Sequence, residues 1–205
     1  MRWKRAAILA SGPSMTRDDA ELVRGWRDGG HGNVIAVNTT FRLALWADIL
    51  YASDRKWWEM HEAEVDRDFL GEKWTYENRF YGKAYQHARQ VRIVRGKGLS
   101  KEPGVVVSGG NSGYTAMGLA YELGARVLIL LGFDMQSTGG QVHWHGTHPS
   151  GLRQNPLYRG WLVRFPQFAA DLEAAGVKVW NCTRETALTC FPRADLEKVL
   201  SAEQG

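Results

Sequence analysis

Cys182 and Cys190 are the only cysteines in 205 residues. Two cysteines build no disulfide framework, and they form no metal-binding pattern. No apolar run reaches the roughly 18 residues that a membrane-spanning helix needs. There is no internal repeat and no low-complexity segment, which excludes a repeat architecture. Basic residues form no long run either. The 26 Lys and Arg against 22 Asp and Glu leave a net charge of +4 spread along the chain. That balance suits an anionic small ligand better than a nucleic-acid track. A G-x-G-x-x-G fingerprint is also missing, so the standard dinucleotide site is not indicated.

What is present reads as one globular α/β domain over residues 1–205. Hydrophobic content is 44% and charged content 23%, both ordinary for a packed domain. Nine tryptophans are spread along the chain and serve mainly as packing residues; only Trp144, inside a histidine cluster, suggests a site. The basic, apolar start could be taken for a signal peptide. Ile8-Leu9 read better as a first strand, so the expected location is cytoplasmic, and the two N-x-T sequons then carry no glycan.

Residues 105–136 organise the rest. A small polar turn, Ser108 to Gly113, lets backbone N–H groups approach a ligand. A helix follows, ended by Gly124. Residues 127–131 form a continuous apolar run, as expected of a strand covered on both faces. Gly132-Phe133-Asp134 then lies at the carboxyl end of that strand, where open α/β sheets bind ligands.

Earlier segments repeat the arrangement. Residues 5–10 read as a strand running into Ser11, Gly12, Pro13 and Ser14, with a helix over 18–28. Strand, small-residue turn and helix N-terminus together suggest an anion site. Residues 33–37 form a second strand with Asn38 at its end. Residues 48–52 form a third, ending in Ser53 and Asp54. Residues 56–65 look helical. Residues 66–104 are the least readable, with short strands over 73–76 and 91–94, a basic tint, and a lid or small sub-region as one reading.

The loop over 137–156 is long enough to be a lid or binding loop. It holds His143, His145 and His148. The H-x-H-x-x-H spacing could ligate a metal, but no cysteine is near and Asp134 is the only obvious carboxylate partner. General-base chemistry is better supported, because histidine titrates near neutral pH. An amphipathic helix over 157–175 is kinked or restarted at Pro166. A strand over 177–180 and a terminal helix over 192–200 complete the chain.

In this order, the segments I-L-A-S-G-P-S-M, A-V-N-T-T-F, Leu50 to Asp54, N-S-G-Y-T-A-M-G through L-L-G-F-D-M, and V-W-N-C-T resemble two related Rossmann-like families. One is the bacterial CMP-sialic-acid-dependent sialyltransferases. The other is the archaeal 6-hydroxymethylpterin pyrophosphokinases and their relatives, and the compact length suits small members found in bacteria and phages. The resemblance implies a three-layer α/β fold with a mostly parallel sheet and a nucleotide held at the strand ends. Gly12, Pro13 and Ser14 match the first loop, Asn38 the polar residue after strand two, and Ser112 and Gly113 the small-residue turn. The general base of the sialyltransferases is a loop histidine, which His145 or His148 would supply. Ser11 stands where those enzymes have Asn, and their tyrosines after the G-x-D segment have no evident counterpart.

The leading expectation is a nucleotide-dependent transferase of glycosyltransferase type. Its nucleotide-sugar is a substrate, no cofactor is tightly bound, and the acceptor is a glycan or a modified DNA base. His145 or His148 is the base, and Asp134 orients it or contacts the sugar. Nucleotide contacts are expected from Ser11, Gly12, Pro13, Ser14, Asn38, Ser53, Asp54, Ser112 and Gly113. The alternatives are a Mg²⁺-dependent pyrophosphokinase, with Asp54 and Asp134 as metal carboxylates, and a non-catalytic nucleotide-binding protein. Exposed aromatic clusters would favour a homo-oligomer.

Overall fold

A computed structural model describes residues 3–76, 87–147 and 156–204. It has one eight-stranded sheet in the order β6-β5-β4-β3-β2-β1-β7-β8. The strands are β1 (Arg5–Leu9), β2 (Asn33–Val37), β3 (Ile49–Tyr51), β4 (Glu72–Tyr76), β5 (Arg89–Arg95), β6 (Val105–Ser108), β7 (Val127–Leu131) and β8 (Lys178–Asn181). Every neighbouring pair is parallel, so the sheet is parallel throughout rather than mostly so.

Helices cover both faces. On one lie α1 (Arg17–Asp28), α2 (Arg55–Asp68) and α6 (Leu196–Ala202), which meet Ala7, Leu9, Val34, Ala36, Leu50, Ile129 and Leu131. On the other lie α3 (Ser112–Glu122) and α5 (Phe165–Ala174), against Ala6, Ile8, Ile35, Val37, Leu128 and Leu130. Alternate residues of each central strand thus enter opposite cores, and this is why Ala6 to Leu9 of β1 and all of β7 are apolar. A five-residue helix, α4 (Tyr158–Leu162), precedes α5. Pro166 stands at the start of α5, where its missing N–H costs nothing, so of the two expected outcomes at this proline, kink or restart, the helix restarts.

Most tryptophans pack and bond inside the protein. Trp57 donates to Thr39 Oγ1, Trp58 to the Ala52 carbonyl and Trp26 to the Glu203 carbonyl. Residues 66–104 supply β4 and β5 to the same sheet, and residues 77–86 lie outside the described residues. Among the described residues no helix is long and apolar enough to cross a membrane.

Candidate functional site

Strand order reverses between β1 and β7: β2 to β6 lie on one side of β1, and β7 and β8 on the other. At such a switch point the loops leaving the two strands diverge and open a crevice. Here the crevice has a volume of about 110 Å³. Its walls are Ser11 and Gly12 after β1, Asn38 after β2, Asn111 to Gly113 at the head of α3, Gly132 to Gln136 after β7, and His143, Tyr158 and Trp161.

The β7 end is built tightly. Gly132 has φ of +70°, and a Cβ there would come 2.8 Å from the Ala10 carbonyl carbon, so only glycine lets the two strand ends stay this close. Phe133 N–H donates to Thr183 Oγ1, and Ala187 N–H donates to the Asp134 carbonyl. The residues after β8 thereby fix the turn that presents Asp134.

Asp134 is 1% exposed. Its Oδ1 accepts the Ser14 N–H at 2.8 Å, while Oδ2 has no hydrogen-bond partner. Burial pushes its carboxyl up to about 6, partly opposed by the Ser14 backbone and hydroxyl. The Tyr158 hydroxyl is also buried without a partner, and its pKa is raised by burial and then by the Asp134 charge. Asn38 Oδ1 and Asn111 Nδ2 are further buried polar atoms without partners. Such atoms are costly unless something fills their valences, and four of them line this one crevice. Two of its residues, Asn38 and Met135, are also the only non-glycines with positive φ among the described residues, each at +51°. Backbone held in this way concentrates at ligand sites.

The first loop differs from the expected anion cradle. Gly12 N–H donates to the Gly132 carbonyl, and Ser14 N–H is taken by Asp134. Helix α1 starts beyond the loop, capped by Thr16 with Asp19 in a capping box. Asp19 also pairs with Arg184 at 2.7 Å, so carboxylate already fills that helix end. The Ser11 hydroxyl donates to the Val37 carbonyl and lies 3.0 Å from Thr40 Oγ1, tying β1 to β2. Pro13 and Ser14 are not among the lining residues, nor are Ser53 and Asp54. Ser53 bonds the Tyr51 hydroxyl, and Asp54 caps α2 by accepting from Lys56 and Trp57 N–H.

The histidine loop turns back on itself at Gly139 and Gly140, where Thr138 and Gln141 exchange hydrogen bonds. It is pinned to the strand ends: Trp144 N–H and His143 Nδ1 both reach the Ser11 carbonyl at 3.2 Å, and the Trp144 indole donates to Thr40 Oγ1. Trp144 is therefore an anchor. His143 lines the crevice, and His145 stacks on it with centroids 5.1 Å apart. Since a carbonyl can only accept, His143 Nδ1 donates to the Ser11 carbonyl. His148 lies outside the described residues, as do 149–155 of the expected lid. Sequence spacing treated the three histidines alike. It did not single out His143 and does not reveal Tyr158 or Trp161, because only the chain reversal and the packing of α4 show which side chains face the crevice.

Among the described residues no three His, Cys, Asp or Glu side chains cluster as a metal site. Comparison of the chain with family models, with curated proteins and with solved structures returns no match.

Proposed function

We propose that this crevice binds a nucleoside phosphate and that the protein is a nucleotide-dependent transferase of glycosyltransferase type, acting in the cytoplasm on a glycan or a DNA base. The observation that carries the reading is the meeting of four buried, unpartnered polar atoms with a helix N-terminus at the switch point of a parallel sheet. The enclosed volume is below the roughly 300–1,000 Å³ of pockets that take a whole small ligand, so a nucleotide would reach from the crevice over its rim.

His143 is the histidine best placed to take a proton from an acceptor hydroxyl, in place of His145. Asp134 offers a carboxylate oxygen to a ligand hydroxyl. The Tyr158 hydroxyl supplies the kind of group that the sialyltransferase pattern carries after its G-x-D segment and that the linear sequence did not reveal. The pyrophosphokinase reading has less support, because Asp54 is used as a helix cap and leaves Asp134 alone as a candidate metal carboxylate.

A thermal-shift screen tests the proposal. CMP, UDP, GDP, ATP and their sugars are each tried with Mg²⁺ and with EDTA. A ligand at 100 times its dissociation constant stabilises by about 2.7 kcal/mol. Stabilisation by a nucleotide or nucleotide-sugar in EDTA supports the reading. Stabilisation by ATP only with Mg²⁺ transfers it to the kinase class, and no shift with any nucleotide overturns both.

A further inference from the structure

The first loop and the head of α3 both present small residues to the crevice, but their electrostatics are opposite. Asp134 places a buried carboxyl against the first loop and takes the Ser14 N–H. A phosphate there would face that carboxylate, with the Gly12 and Ser14 N–H groups already engaged.

The head of α3 has donors to spare. Asn111 caps the helix and takes the Tyr114 N–H, and its carbonyl takes the Thr115 N–H. The Ser112 and Gly113 N–H groups ahead of them have no partner among the described residues, and neither has Asn111 Nδ2. Two cationic or polar donors approach from α4 and the residues beyond it. Relative to a Cβ built on Gly110, Arg164 Nη1 is 3.4 Å away and Trp161 Nε1 is 3.6 Å away. Arg164 makes no ion pair among the described residues, although most of the described arginines do. A helix N-terminus alone would say little. The same crevice, however, is lined by Asp134, whose buried Oδ2 accepts no hydrogen bond among the described residues. An occupant that meets both demands carries an anion at one end and a hydroxyl donor close by.

Building on the nucleotide reading above, we propose that the ligand's phosphate is held at the head of α3, by Arg164 and the Trp161 indole together with Asn111, Ser112 and Gly113, and not by the first loop. The ligand class is a phosphate ester with a free hydroxyl directed at Asp134. Arg164 sets affinity for the phosphate: its planar fork matches phosphate oxygens, and such charge-assisted bonds are the stronger kind.

The test compares wild-type protein with Arg164→Gln, Trp161→Phe and Ser14→Ala by calorimetric titration. The probes are pyrophosphate, the stabilising nucleotide and its unphosphorylated nucleoside. Arg164→Gln is expected to lose about tenfold or more in affinity for the nucleotide and for pyrophosphate, with nucleoside binding unchanged. Trp161→Phe keeps the ring, shows a smaller loss in the same sense, and stands in if the arginine variant misfolds. Ser14→Ala retains phosphate affinity. Unchanged nucleotide affinity in Arg164→Gln and Trp161→Phe overturns the phosphate assignment while leaving nucleotide binding intact. An equal loss for nucleoside and nucleotide overturns it too. Wild-type protein that binds pyrophosphate with the same Arg164 dependence but no nucleotide keeps the anion site and removes the nucleotide reading.

Discussion

The carboxyl group of Asp134 occupies the space in which a side chain at position 12 would stand: a Cβ on Gly12 would come 2.6 Å from Asp134 Cγ. The first loop and the end of β7 therefore fit each other before any ligand arrives. Gly12→Ala should destabilise the fold by about 1–3 kcal/mol, the usual cost of overpacking. Urea unfolding measures this, and a midpoint equal to the parent's would show that the loop yields freely.

Asp134 also makes stability depend on pH. Its folded pKa of about 6 lies above the usual carboxylate value of 3.8. Between these values the folded state binds more protons than the unfolded chain, so stability falls as pH rises from about 4 through about 6. The full difference is on the order of 3 kcal/mol, at 1.36 kcal/mol per unit. In Asp134→Asn the Oδ1 contact to Ser14 can persist while the titration is lost. The stability of this variant relative to wild type should therefore improve across that window, as read from denaturant unfolding at pH 4, 5, 6 and 7. A difference that stays constant with pH would remove the assignment.

Transfer chemistry should separate the two described histidines. With the donor identified by thermal shift, His143→Gln is expected to lower turnover by roughly 10²–10⁴-fold, the range of a positioned acid–base group. His145→Gln, which removes a ring stacked on His143 and set edge-on to Trp144, should cost much less. Equal losses in both variants would point to the stack, not to one nitrogen.

Asn38 offers a comparison of two small residues. Its φ of +51° suits glycine and strains alanine, and its Oδ1 is buried without a partner. Asn38→Gly should leave the melting temperature unchanged or raise it, and Asn38→Ala should be less stable than Asn38→Gly by about 1 kcal/mol. Both should bind nucleotide more weakly. Stronger destabilisation by glycine than by alanine would contradict the backbone argument.

The central strands are legible because burial on both faces makes each of them a run of at least four apolar residues. The reading of β2 matches residue for residue. Strand β6 was folded into the Gly/Ser turn that follows it, since Val105 to Val107 are too few to show a period. Composition alone does not separate the first loop from the small-residue turn at Ser112-Gly113 as an anion site. Ser11 to Ser14 do have the composition of a phosphate loop, but the group that occupies their donors comes from 120 residues further along. Local sequence cannot reveal that a carboxylate from β7 will arrive there. Likewise, the choice of His143 depends on the hairpin at Gly139-Gly140 and on the Ser11 carbonyl, neither of which leaves a mark on histidine spacing.

The pairing of β1 with β7, Arg5 beside Val127 through Leu9 beside Leu131, also has a consequence in time. During synthesis the first loop emerges long before its partner. At roughly 5–20 residues per second, the 120 residues between Ser14 and Asp134 take on the order of ten seconds to follow. Through that interval β1 has an open edge on its β7 side and the crevice lacks the wall that follows β7. A nascent chain therefore completes the crevice only when most of it has been made, and a tightly held nucleotide, if the crevice takes one, would favour chains that have closed the centre of the sheet over those that have paired β1 with something else.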